Sequence, residues 1–230
     1  MPPLTLKMPP PEPSPRRRKS RYYYPAFLNL KGKKVVVIGG GKVAERKILA
    51  LFKTSADITV VSPEITKKIK KEKVKGRIKH ICRQYRKGDL RKAFLVIAAT
   101  DFPDVNEHVS KDAPCLVNVV DTPRLCNFIV PSVIKRDPLT IAVSTSGISP
   151  ALSRSIRGEL EKMYGSEFSK YVKSLIHIRA KAKELIRNKK ERNEFLKAIA
   201  SEKTIRLLRG KGVKETKRVA EDLFRKAKTS

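Results

Sequence analysis

The segment Val35-Val36-Val37-Ile38-Gly39-Gly40-Gly41-Lys42-Val43-Ala44 decides the fold. Its β-branched run reads as a strand buried on both faces, the pattern of a parallel sheet. The glycines follow at once, and Lys42 to Phe52 reads as a helix with Val43, Lys47, Ala50 and Leu51 along a mixed apolar stripe. Strand, Gly-x-Gly-x-x-Ala, helix is the order of a dinucleotide-binding turn. Gly39 allows the tight turn, Gly41 lets a pyrophosphate approach the backbone, and Ala44 is small enough for close helix–strand packing. The helix N-terminus offers free N–H groups and a positive dipole end to the phosphates.

Outward from this turn, Ile58–Val61, Ile78–Cys82, Phe94–Ala98, Leu116–Val120 and Leu139–Val143 read as further strands separated by helix-length segments. That alternation predicts an α/β, Rossmann-like, mostly parallel sheet covered on both faces. Ser149-Pro150 opens a helix, with Ser as N-cap and Pro at the first helical position. Leu152, Ile156 and Leu160 form its stripe, and Gly165 is the expected stop. Residues 166–230 read as a small all-helical part. Residues 1–24 hold seven of the 15 prolines and end in three tyrosines, so a disordered tail is expected, docked through Tyr22, Tyr23 and Tyr24. The expected units are 1–24, 25–133, 134–165 and 166–230.

The chain has 230 residues, 40% of them hydrophobic, which is enough for a sizeable core. No apolar run approaches the ~20 residues of a membrane span. The Pro-rich N-terminus lacks an apolar h-region, so no secretory signal is expected. Cys82, Cys115 and Cys126 show no Cys-x-x-Cys spacing and read as reduced thiols of a cytoplasmic protein. No His/Cys cluster has metal-ligand spacing, so no resident metal is expected. The net charge is +31, from 53 Lys+Arg and 22 Asp+Glu. It is spread over the tail, residues 67–92 and residues 166–230 rather than focused in one recognition element. Such a field draws polyanions: a nucleic acid, an anionic surface or a polycarboxylate substrate. Charge runs are also commonly plain solvated faces.

The acid that reads a ribose is expected about 20 residues beyond the glycine turn. That place falls at Val61-Ser62, with Glu64 just past Pro63, so the residues leave NAD and NADP open, and Lys67 and Lys68 suit a 2′-phosphate.

Five ordered motifs carry a resemblance: Gly39-Gly40-Gly41-Lys42-Val43-Ala44-Glu45-Arg46-Lys47; Thr59-Val60-Val61-Ser62-Pro63-Glu64; Ala98-Ala99-Thr100-Asp101; Asn118-Val119-Val120-Asp121; and Ala142-Val143-Ser144-Thr145-Ser146-Gly147-Ile148-Ser149-Pro150-Ala151. Over roughly residues 25–165 the chain resembles the precorrin-2 dehydrogenase family, which includes the dehydrogenase/ferrochelatase half of siroheme synthases. The resemblance implies NAD-dependent oxidation of precorrin-2, a polycarboxylate tetrapyrrole, to sirohydrochlorin. In some members Fe²⁺ insertion follows. It also implies a homodimer, with a dimerisation region at 134–165 after an NAD-binding Rossmann domain, and the helical part last.

Matched residue by residue, Gly39, Gly41, Lys42 and Val43 fall on the phosphate turn. Ser62, Pro63 and Glu64 fall beside the adenosine ribose, and Thr100 and Asp101 at a strand's carboxyl end. Asp121 falls on the family's proposed catalytic aspartate, and Ser144, Thr145, Ser146 and Gly147 on the tetrapyrrole cleft. Bacterial members often have Gly where this chain has Ser146. By position, Arg154 and Arg157 are candidates for substrate carboxylates. Asp121 is expected above the glycine turn as general base. Read without the family, it is also a turn residue in Asp-Thr-Pro, and Asp101 an N-cap of the helix at Pro103. His80 and His177 read as structural or surface residues, and His108 is a minor candidate. The rival from another class is a non-catalytic dinucleotide sensor that binds nucleic acid or an acidic partner through its basic surface.

Overall fold

The computed structural model describes residues 23–229. The expected tail lies outside the described residues up to position 22, and Tyr24 is 91% exposed rather than docked.

Five parallel strands form one sheet: β1 (Lys34–Ile38), β2 (Asp57–Val61), β3 (Lys79–Ile81), β4 (Leu95–Ala98) and β5 (Leu116–Val119), in the order β3-β2-β1-β4-β5. Ile38 lies opposite Val61 on one side and Ala98 on the other, so these strands end level at their carboxyl edge. The crossovers are α1 (Lys42–Leu51), α2 (Lys67–Val74) and α3 (Pro103–Asp112). Strand alternation sends Val35 and Val37 into one core with Ile48 of α1 and Ile69 of α2. Val36 and Ile38 enter a second core with Val109 of α3, Val117 and Val119. Both faces of β1 are therefore dry, which is why its sequence is an unbroken apolar run. Trimming Ile48, which is fully buried, to Ala would cost about 2–5 kcal/mol. The chain order reverses between β1 and β4, and open α/β sheets bind ligands at that crevice.

The expected sixth strand forms, but not in this sheet. Here β6 (Ser132–Arg136) and β7 (Leu139–Val143) make a separate antiparallel hairpin, with Ile134 opposite Ile141. An apolar run identifies a strand without naming its partner, and the short connection at Asp137-Pro138 permits only a hairpin.

α4 (Pro150–Met163) starts as read, with the Ser149 hydroxyl accepting the Leu152 N–H at 3.2 Å. Gly165 is not its stop. The helix ends at Met163, and Gly165 is the N-cap of α5 (Ser166–Leu185). α5, α6 (Lys189–Ala198) and α7 (Glu202–Thr229) pack around Phe168, Tyr171, Ala182, Ile186, Phe195, Ile199 and Leu208. The Tyr171 hydroxyl donates to the Ile199 carbonyl at 2.7 Å, and α7 kinks at Gly212, whose φ is 75°.

Candidate functional site

Two clefts open at the carboxyl edge of the sheet. The first, about 870 Å³, lies between the β1–α1 turn, the ends of β2 and β4, and the segment after β3. Gly39, Gly41, Lys42, Val43, Ser62, Pro63, Glu64, Thr100 and Asp101 all line it.

The three glycines there differ. Gly39 has φ 113°, and a Cβ on it would strike the Ala99 carbonyl; a Cβ on Gly40 would overlap the Glu64 carbonyl oxygen. Both must be glycine because of the protein's own backbone. A Cβ on Gly41 would meet nothing within 4 Å, so its bare Cα leaves room in the cleft rather than in the fold. Gly41 caps α1 with no side-chain hydrogen bond, which leaves the first-turn N–H groups without a capping acceptor. Open space beside uncapped donors fits a dinucleotide pyrophosphate.

At the end of β2, the Thr66 hydroxyl donates to Glu45 Oε2 at 2.6 Å, and Lys68 pairs with Glu45 at 3.3 Å. The Thr66 hydrogen bond, aided by Lys68, holds the Glu45 carboxyl below its ordinary pKa despite burial. Lys68, one of the two lysines suited by sequence to a 2′-phosphate, is thus already engaged. His80 Nε2–H donates to the Ser62 carbonyl at 2.9 Å while its Nδ1 is buried without a partner, a structural arrangement.

At the end of β4, the buried Asn106 holds the turn. Thr100 Oγ1 donates to Asn106 Oδ1 at 2.8 Å, and Asn106 Nδ2 donates to the Thr100 carbonyl at 2.9 Å. Asp101 is not the cap of α3. Phe102 occupies that position, leaving Asp101 on the cleft wall. Gln84 and Tyr85 also line this cleft and were missed by sequence reasoning, although residues just after a third parallel strand belong at the same edge. The Tyr85 hydroxyl donates to Asp112 at 2.9 Å, and burial together with that carboxylate raises its pKa.

The second cleft, about 570 Å³, shares no lining residue with the first. Asp121, Ser144, Thr145, Gly147 and Arg154 line it; Ser146 does not. Asp121 was expected above the glycine turn. It stands instead in this neighbouring cleft, because β5 ends at Val119 and the chain turns away through Asp121 at φ 57°. The buried Cys126 ties that turn: its thiol lies 3.2 Å from the Val119 carbonyl and 3.4 Å from the Thr122 carbonyl, and the Val119 N–H donates to its sulfur at 3.2 Å. The clefts adjoin along α1. Lys42 and Val43 face the first, while Arg46 and Lys47, one turn further on, face the second.

The loop before α4 is held by its own hydroxyls. Thr145 Oγ1 donates to the Ser149 carbonyl at 2.9 Å and accepts the Ser149 N–H at 3.1 Å. Ser146 has φ 55° and Gly147 φ 83°. A left-handed backbone at both positions suits glycine best, and at Ser146 a side chain is carried there nonetheless. Arg157 pairs with Glu161 at 2.7 Å and lines neither cleft, so of the two candidate arginines only Arg154 is placed for a ligand. His108 and His177 are exposed and line neither cleft.

Residues 26–132 match an NAD(P)-binding family, and residues 136–163 match the sirohaem biosynthesis protein central family. Over most of its length the chain is similar to precorrin-2 dehydrogenases and siroheme synthases. It is 38% identical over 174 residues to the siroheme synthase of Methylobacillus flagellatus, covering 74% of this chain and 37% of that protein. With the Thioalkalivibrio sulfidiphilus enzyme it shares 40% over 176 residues, covering 75% and 36%. The solved structure of SirC, a precorrin-2 dehydrogenase, superposes with a TM-score of 0.73 at 28% identity, covering 87% of this chain and all of that one. The chain spans well under half the length of the siroheme synthases it matches, and the full length of SirC.

Proposed function

We propose that this chain oxidises precorrin-2 to sirohydrochlorin with NAD as the hydride acceptor. The observation that carries the reading is the pair of adjoining clefts, one with an open glycine cradle at a helix N-terminus, the other holding an exposed carboxylate among basic side chains.

In this reading the first cleft binds the dinucleotide. The N–H groups of α1 meet the pyrophosphate, Ser62, Pro63 and Glu64 flank the adenosine ribose, and the turn of Thr100 and Asp101, braced by Asn106, faces the nicotinamide half. The bound nicotinamide supplies the hydride acceptor. Asp121 takes the proton that the macrocycle loses, so hydride and proton leave the substrate together and the carboxylate becomes a carboxylic acid. Ser144, Thr145, Gly147 and Arg154 form the tetrapyrrole wall, and Ser146 shapes the same loop from outside the lining.

The proposal extends to the units 25–133, 134–165 and 166–230, to a cytoplasmic location and to a homodimer. Dimerisation has physical support: α4 and its approach expose Ile148 (87%), Leu152 (52%) and Met163, an apolar strip left uncovered by the described residues. No helix among the described residues is long and apolar enough to cross a membrane. The proposal also includes Fe²⁺ as a second substrate. Among the described residues no group of three His, Cys, Asp or Glu could hold a metal ion. None is needed where the macrocycle's own nitrogens ligate the iron.

The test is direct. The protein, precorrin-2 and NAD are mixed, and sirohydrochlorin absorbance is followed. Product at a rate that needs both cofactor and protein supports the reading. No product, with tight salt-sensitive RNA or DNA binding, supports the dinucleotide sensor instead. NADP run in parallel reads the cofactor preference, for which NAD is expected.

A further inference from the structure

The second cleft has an imbalance of charge. Arg46 and Lys47 of α1 and Arg154 of α4 line it, and among the described residues Asp121 is the only carboxylate that does. The hairpin residues on its wall, Ser132 and Val143, add no charge, and Cys126 is the remaining titratable group. Lys47 is the unusual member. It is half-buried where Arg46 and Arg154 are exposed, and no hydrogen bond or ion pair within the described residues reaches it. Burial lowers its pKa, Arg46 pushes the same way, and Asp121 and Cys126 oppose.

Comparably sheltered cations in this chain do have partners. Arg83 (34% exposed side chain) pairs with Asp89 at 2.6 Å, and Arg157 (33%) with Glu161 at 2.7 Å. A partly desolvated ammonium without an acceptor is costly, and a ligand carboxylate would supply the acceptor that the described residues do not.

We infer that Lys47 is a carboxylate-binding residue of the second cleft, its ammonium taking one side-chain carboxylate of a polycarboxylate macrocycle. The inference rests on the tetrapyrrole reading for the identity of the macrocycle. Arg46 and Arg154 at the rim meet further carboxylates, while Asp121 repels them. The substrate's anionic side chains are thereby drawn to α1 and α4, and a bridging carbon of the macrocycle, which bears no carboxylate, is left facing Asp121. Lys47 thus sets orientation as well as affinity.

The test uses the full chain and the variants Lys47→Met, which keeps the side chain's length without its charge, and Lys47→Arg. The readouts are precorrin-2 kinetics, NADH affinity, thermal unfolding, and binding of uroporphyrin, a stable polycarboxylate macrocycle followed by its own fluorescence. For Lys47→Met a rise of about 10- to 100-fold is expected in precorrin-2 KM and in uroporphyrin Kd, the range of a charge-assisted hydrogen bond. NADH affinity should hold and Tm should be no lower, because the charge removed has no partner in the free protein. Lys47→Arg should recover most of the lost affinity. Unchanged uroporphyrin Kd and KM in Lys47→Met would overturn the inference, and a fall in Tm with unchanged affinity would equally do so, marking a structural lysine. The two readings fail separately. Wild-type protein that binds uroporphyrin through Lys47 but does not oxidise precorrin-2 keeps the site and loses the reaction. Unchanged kcat, KM and uroporphyrin Kd in Lys47→Met keep the reaction and lose the site.

Discussion

Replacing Asp121 with Asn separates chemistry from structure cleanly at this position. Asp121 sits at φ 57°, a left-handed conformation that Asn adopts at least as readily as Asp. Its side chain is exposed and lines the second cleft. Losing the charge should therefore change stability by no more than about 0.5 kcal/mol, as for an ordinary surface substitution. For a chain of this size that is a Tm shift of about 1–2 °C. Alanine would be a poorer probe, because a left-handed residue without a local polar group costs about 1–2 kcal/mol and blurs the comparison.

The chemical loss is much larger. A general base contributes about 10²–10⁴-fold, which at 1.36 kcal/mol per decade is roughly 3–5 kcal/mol of barrier. Asp121→Asn should lose that factor in dehydrogenase kcat, measured by sirohydrochlorin formation under saturating NAD. NADH affinity should not change, because the first cleft shares no residue with the second. Binding of a polycarboxylate macrocycle should hold or tighten, since a repelling anion is gone. Near-normal turnover in a variant with normal Tm would refute the assignment and leave Asp121 a turn residue. Asp101 would then be tested next, since His108 lies outside both clefts.

The glycines yield a paired prediction: Gly41→Ala should keep Tm while weakening NADH binding at least tenfold, whereas Gly40→Ala should lower Tm through overlap with the Glu64 carbonyl, both read by thermal unfolding and cofactor titration. Asn106→Ala strips the brace from the Thr100 turn and leaves buried backbone polar groups unmet, so a loss of about 1–3 kcal/mol of stability is expected in denaturant melts, with a raised KM for NAD. Acid should weaken the fold through Glu45 and Asp89, whose pKa values Thr66 and Arg83, respectively, hold below the ordinary 4.5 and 3.8. Depressed carboxyl pKa values give stability that is full above the unfolded values and lost as pH falls through the folded ones, so Tm should decline below about pH 4.5, and less steeply in Asp89→Asn.

How far the sequence could be read follows from how local each signal is. The parallel strands were legible because burial on both faces forces apolar runs, and the glycine turn because backbone geometry demands residue types at fixed spacing. The partner of Leu139–Val143 was not, since Ser132–Arg136 holds only Val133 and Ile134 as apolar residues and ends in Lys135 and Arg136, masking a strand that a hairpin half-buries. Gly165 was misjudged because a glycine between two helices can end one or begin the next. Asn106 gave no signal at all: a polar residue in an amphipathic helix reads as solvent-facing until the turn it braces is seen. Lys47 read as part of an apolar stripe, since a lysine stem packs like an aliphatic chain and only the fold shows where the ammonium emerges.

The arrangement gives α1 two roles, divided by a single turn. Its first turn presents backbone N–H groups to the first cleft, and its second presents Arg46 and Lys47 to the second, about 5.4 Å further along the axis. Glu45 lies between them and points to neither. It is buried, held by the Thr66 hydroxyl and by Lys68, and so pins the helix to the segment after β2. Redox chemistry between two bound molecules needs their reacting atoms within about 3–3.5 Å, which separately mobile sites would achieve only rarely. In the proposed reaction, anchoring one wall of each cleft to one helix, and that helix to the segment after β2 by a buried carboxylate, fixes the spacing between the clefts before either ligand arrives.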